Sequence, residues 1–133
     1  MPLVEVEFPG KKQVHARVKG RHIPTDQSPD NGGDGTAPEP FELFLASIAT
    51  CAGIYAKSFC DERGLDPEGM ALTLDIERGE NGLMSRIDLV LRVAPDFPEK
   101  YDRALTRTMA LCAVKKHLRE DIVTDIRILR NGA

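Results

Sequence analysis

The sequence predicts an α+β fold in which antiparallel hairpins are separated by helices. Three observations carry that prediction. Apolar and polar residues alternate over short runs at both ends of the chain. A 14-residue uncharged run, Leu43 to Ala56, lies between them. Glu80-Asn81-Gly82, flanked by alternating segments, is a strong hairpin turn.

In chain order, Val4, Val6 and Phe8 alternate with Glu5 and Glu7, the period of a half-buried strand. Pro9-Gly10-Lys11-Lys12 reads as a turn. Val14, Ala16 and Val18 then alternate with His15, Arg17 and Lys19, which gives a hairpin with one wet face. Gly20 to Pro24 extends into a third short strand. Asp26 to Gly35 is rich in Gly, Pro, Asp and Asn and reads as a flexible loop.

A helix start follows. Thr36 with Glu39 fits a capping box, and Pro40 with Glu42 fits a slightly later start; both readings stand. The helix runs to about Arg63, with Gly64 as the residue that ends it. Phe41, Leu45, Ile48, Ala52, Tyr55 and Phe59 form one stripe, yet apolar residues fill most of the remaining circumference. A helix apolar nearly all round is buried on nearly all sides. A chain of 133 residues has little material to wrap it, so a second subunit is expected to supply part of the cover.

Residues 71–94 form the next hairpin, around Asn81-Gly82. A second helix is expected over Glu99 to Leu118, with Leu105, Met109 and Cys112 on one stripe. Ile126 and Ile128 mark a last strand. The order is β-β-β-α-β-β-α-β, read as one domain over 1–133.

Composition narrows the function. Eighteen Lys+Arg against 21 Asp+Glu leave a net charge of −3, without the basic excess that phosphate contacts require. Nucleic acid is not an expected partner. The absence of Trp also weakens base stacking. The 14-residue apolar run is shorter than the ~20 residues of a membrane span, so the reading is a buried helix without a membrane partner. Met1 to Glu7 has no basic segment of a signal peptide, and the expected location is cytoplasmic.

Cys51, Cys60 and Cys112 have neither a closed disulfide framework nor zinc-site spacing, and His15, His22 and His117 are scattered. No metal site and no cofactor is indicated. Cys51 sits mid-helix among Ala49, Thr50, Ala52 and Gly53, and alone it reads as a small buried hydrophobe. Cys112, flanked by Ala110 and Ala113, changes the weighting. Two helices with a Cys on each apolar face can pack into an attacking and a resolving thiol.

Cys60, nine residues after Cys51, points to the other side of the helix, and Asp61 and Glu62 beside it discourage a thiolate. Glu42, taken alone, is a first-turn acid that complements the helix dipole. Lys115, Lys116 and His117 follow Cys112 by about one turn. They complement the last turn of the helix, and a cation there also lowers a thiol pKa.

Asp26-Gln27, Gly32-Gly33 and the run from Thr36 through Glu42 to Cys51, with Leu111-Cys112-Ala113-Val114-Lys115-Lys116, resemble the OsmC/Ohr family. The Asp26-Gln27 and double-Gly features look more like its less characterised branch. The resemblance covers essentially the whole chain. It implies an OsmC-like fold of antiparallel sheets wrapped around long central helices in an intertwined homodimer.

By the same resemblance Cys51 is the peroxidatic thiol and Cys112 the resolving one. The substrate would be an organic hydroperoxide, reduced at the expense of a dithiol such as dihydrolipoamide. Glu42 matches the acid that orients thiolate and peroxide. The companion Arg has no clean match; Arg21 is the one candidate. Two other readings remain open. One is a non-catalytic dimer that binds a small hydrophobic or thiol-reactive ligand. The other is a thiol reaction with a different electrophile.

Overall fold

The computed structural model describes residues 2–132. Six strands and three α-helices follow in the order β1 (Val4–Gly10), β2 (Gln13–Val18), β3 (Arg21–Thr25), α1 (Pro40–Glu62), β4 (Ala71–Arg78), β5 (Met84–Val93), α2 (Asp102–Met109), α3 (Ala113–Lys116) and β6 (Val123–Arg130). Two compact units divide the chain, residues 1–46 and residues 47–133.

The N-terminal unit is built on the antiparallel sheet β1-β2-β3. Its pairing follows the alternation of the sequence, with Val4 opposite Val18 and Glu7 opposite His15. Lys19 and Gly20 both have positive φ, 49° and 77°, and join β2 to β3 as a two-residue turn. Such a turn matches the right-handed twist of the strands it joins. The apolar row of β1 was expected to be half-buried. It remains open instead, with Val6 52% and Phe8 77% exposed.

The loop after β3 is held by one acid. Asp26 is 1% exposed. Its carboxylate accepts bonds from the Gln27 N–H (2.7 Å), the Thr36 N–H (3.0 Å) and the Thr36 hydroxyl (2.7 Å). These bonds hold its pKa at about 2, against the burial that opposes ionisation. At Gly33 the backbone passes so close to Gln27 that an added Cβ would stand 2.1 Å from the Gln27 carbonyl oxygen. The segment expected to be flexible is therefore cross-tied along its length.

The same bonds settle where α1 begins. Thr36 is committed to Asp26 and does not cap the helix. Pro40 opens it, and the Glu42 carboxylate accepts the Glu39 N–H at 2.8 Å. Proline suits the first turn, where its missing N–H has no partner to lose.

The C-terminal unit holds the core. β5 is the central strand of β4-β5-β6. Ile87, Leu89, Leu91 and Val93 on it are at most 1% exposed. Burying each such side chain contributes roughly 1.5–3 kcal/mol. Ile48, Ala52, Ala56, Phe59 and Cys60 form the buried stripe of α1. Gly53 of α1 faces β4, where an added Cβ would make an ordinary contact of 3.8 Å with Leu72. The Phe59 ring meets Tyr101 edge-on at 5.9 Å and carries the Arg63 guanidinium 3.6 Å from its centre. By length and apolar composition alone α1 would also suffice for a membrane span.

Two features differ from the expected pattern. β6 pairs with β5 in parallel, with Leu89 opposite Ile126, while β4 and β5 are antiparallel. A parallel partner requires a crossover, and residues 94–122 supply it. The second helix is also not continuous. It begins as a 3₁₀ turn at Glu99–Tyr101, runs as α2, breaks, and resumes as α3.

Candidate functional site

The break in the second helix falls at Cys112. Its backbone is extended (φ −55°, ψ 140°), and its side chain caps α3. The thiol accepts the Lys115 N–H at 3.4 Å. Cys112 is nonetheless buried like Leu105 and Met109, its companions on the stripe expected from the sequence. Cys112 is 1% exposed.

Its thiol also has Cys51 as a neighbour, close enough to shift its ionisation. The structure thus brings together the two cysteines that the sequence singled out, one half-buried in mid-α1 and one buried. Burial pushes the Cys112 pKa up, and the neighbouring Cys51 pushes it the same way. The Lys115 N–H and ammonium pull it down, but burial prevails. At neutral pH Cys112 is therefore a thiol.

Cys60 stands apart. It is fully buried, its Sγ 3.7 Å from the Met70 sulfur. Its pKa is raised by burial first and by Asp61 second. That is the environment of an inert core thiol.

Glu42 and Arg21 belong to the N-terminal unit. Glu42 is exposed, with its carboxylate engaged by the Glu39 N–H. Arg21 is exposed at the start of β3. An apolar groove of about 440 Å³ runs beside the Cys51 turn of α1, lined by Ala49, Thr50, Gly53, Ile54, Lys57 and Leu72. Cys51 itself does not line it.

One constellation was invisible in sequence spacing. His15 and His22, read as scattered, meet on one face of the N-terminal sheet beside Glu7. The signal that finds them is strand register: Glu7 pairs with His15, and His22 lies diagonal to His15 across the β2–β3 ladder.

The OsmC-like protein family matches residues 33–127, well over half of the chain. Among solved structures, a protein described as an osmotic stress induced and detoxification response protein from Psychrobacter arcticus 273-4 superposes with a TM-score of 0.83 at 21% identity, covering 96% of each chain. An organic hydroperoxide resistance protein OsmC from Legionella pneumophila gives 0.67 at 14% identity, over 95% of this chain and 94% of that one. The organic hydroperoxide resistance protein OhrB of Bacillus subtilis gives 0.61 at 18%, over 96% and 95%. At these identities the likeness establishes the fold. Among curated proteins none matches the sequence.

Proposed function

The chain belongs to the OsmC-like protein family, and on that footing we propose that it is a thiol peroxidase for organic hydroperoxides. The observation that carries the reading is the proximity of Cys51 to Cys112, which raises the Cys112 pKa. The asymmetry of the pair supports it. Cys51 is the more accessible thiol and Cys112 the buried one, as an attacking and a resolving group require. Two of the structural relatives bear the name organic hydroperoxide resistance protein.

The cycle balances as follows. The Cys51 thiolate attacks one peroxide oxygen and the O–O bond breaks. Cys51 becomes a sulfenic acid, and the alkoxide takes a proton and leaves as the alcohol. Cys112, deprotonated, then attacks the Cys51 sulfur, and hydroxide leaves as water while the disulfide forms. An external dithiol such as dihydrolipoamide returns both thiols and is itself oxidised to its disulfide. The net reaction converts one hydroperoxide and one dithiol to one alcohol, one water and one disulfide.

Burial raises the Cys112 pKa, so the resolving step gains from rising pH. The apolar groove beside the Cys51 turn, with Ile54 one turn on from Cys51, suits the organic tail of a substrate better than hydrogen peroxide. Glu42 takes the part of the orienting acid. Glu42→Gln keeps an acceptor for the Glu39 N–H and removes the charge, which separates that part from capping.

The active form in this reading is a homodimer in the cytoplasm. Each unit leaves apolar side chains for a second copy to cover: Val6, Phe8, Phe41 and Phe44 in the N-terminal unit, and Ile54 in the C-terminal unit.

The test is consumption of cumene hydroperoxide with dihydrolipoamide as reductant, beside hydrogen peroxide. The expected result is turnover of the organic peroxide, loss in Cys51→Ser, and a single turnover in Cys112→Ser. A folded protein with free thiols that consumes no organic peroxide would overturn the reading.

A further inference from the structure

We propose that Glu7, His15 and His22 form a surface site for a divalent late transition metal ion of the copper or nickel type. The proposal is independent of the thiol chemistry. It rests on the N-terminal sheet alone.

The three side chains come from three adjacent strands. Glu7 on β1 is directly opposite His15 on β2. His22 on β3 pairs with Arg17, one step along the same face. Side chains at alternate positions of a strand share a face, so the ladder itself gathers the three groups. Their ligand atoms all lie within 4.8 Å of one another.

The distances fit a particular geometry. His22 Nε2 and His15 Nδ1 are 2.9 Å apart. Metal–imidazole bonds of ~2.0–2.1 Å put two nitrogens about 2.9 Å apart at a right angle and about 3.3 Å apart at the tetrahedral angle. The observed separation matches the right angle, which square-planar and tetragonal ions favour. Glu7 Oε1 lies 4.0 Å from His22 Nε2, near the ~4 Å span of two trans ligands at the same bond length.

Imidazole with carboxylate is the donor set these ions accept. Water completes the coordination sphere, since Glu7 and His22 are exposed.

Without metal, the two rings share one proton in a hydrogen bond, their planes inclined at 72°. A cation takes the place of that proton, which moves to the other nitrogen of its own ring, so both rings ligate as neutral imidazoles. Small rotations about the soft terminal torsions of the rings turn both lone pairs from each other to the ion. Arg17 is the built-in competitor: its guanidinium lies 3.3 Å from Glu7 Oε1. The ion must draw that carboxylate away from Arg17.

The experiment is calorimetric titration with NiCl₂ of the reduced protein, under nitrogen and free of added thiol. Wild type, His15→Gln, His22→Gln, Arg17→Ala and the double variant Cys51→Ser/Cys112→Ser are compared, with circular dichroism as the check of folding. The expected result is one Ni²⁺ per chain. Affinity falls roughly tenfold or more in each histidine variant, rises in Arg17→Ala, and is unchanged in the double cysteine variant. No binding to the wild type, binding that survives both histidine substitutions, or binding lost with the cysteines would overturn the proposal.

Discussion

The Cys112 thiol accepts the Lys115 N–H at 3.4 Å and has Cys51 near enough to push its pKa up. One side chain thereby caps a short helix and faces the thiol of a different helix.

The first prediction concerns which cysteines oxidise together. Treatment with one equivalent of cumene hydroperoxide should join Cys51 to Cys112 and leave Cys60 as a free thiol, read by peptide mapping after alkylation. Cys60 is fully buried against Met70 with its pKa raised, so it should alkylate only on unfolding. A disulfide that includes Cys60 would contradict the arrangement.

The second concerns acid. The folded pKa of Asp26 is depressed to about 2, from a model-compound value of 3.8. A depressed carboxylate contributes stability above its unfolded pKa and loses it as pH falls through the folded value. Asp26→Asn should therefore have the lower melting temperature at pH 7. The gap to wild type should close between about pH 4 and pH 2. Thermal melts of both proteins across that range decide it. An equal gap at pH 7 and pH 2 would mean that the charge of Asp26 contributes nothing.

The third concerns the tie between β6 and α2. Arg130 grips Asp102 with both terminal nitrogens, at 2.7 and 2.6 Å, and its Nη2 also donates to the Phe97 carbonyl at 3.3 Å. Lysine keeps the charge but not the planar fork. Arg130→Lys should destabilise by about 1–2 kcal/mol, measured by urea unfolding. A change within error would show the pair to be no stronger than an exposed one.

Much of the architecture was legible from periodicity. The alternation of Val4, Val6 and Phe8, the Asn81-Gly82 turn and the apolar run of α1 each yielded an element at its place. What escaped the sequence had a common cause. Ile126 and Ile128 mark a strand, but alternation carries no direction, so the parallel pairing with β5 was not readable. Leu105, Met109 and Cys112 keep helical spacing through the break, and neither Gly nor Pro announces it. Residues 26–35 read as a flexible loop because the partner of Asp26, Thr36, lies ten positions on. For the site, Cys51 and Cys112 were found by residue type and setting, whereas His15 and His22 needed the strand register.

The parallel pairing of β6 with β5 also orders events in time. The β4–β5 hairpin closes over a tight turn, a local event that is fast for a β structure. β6 reaches β5 only after residues 94–122 have looped back, and such distant closure is entropically slower. Cys112 lies within that crossover. The nascent chain therefore carries Cys51 and Cys60 on one helix before their distant counterpart is in position, so oxidation before the final strand docks would find Cys51 without Cys112.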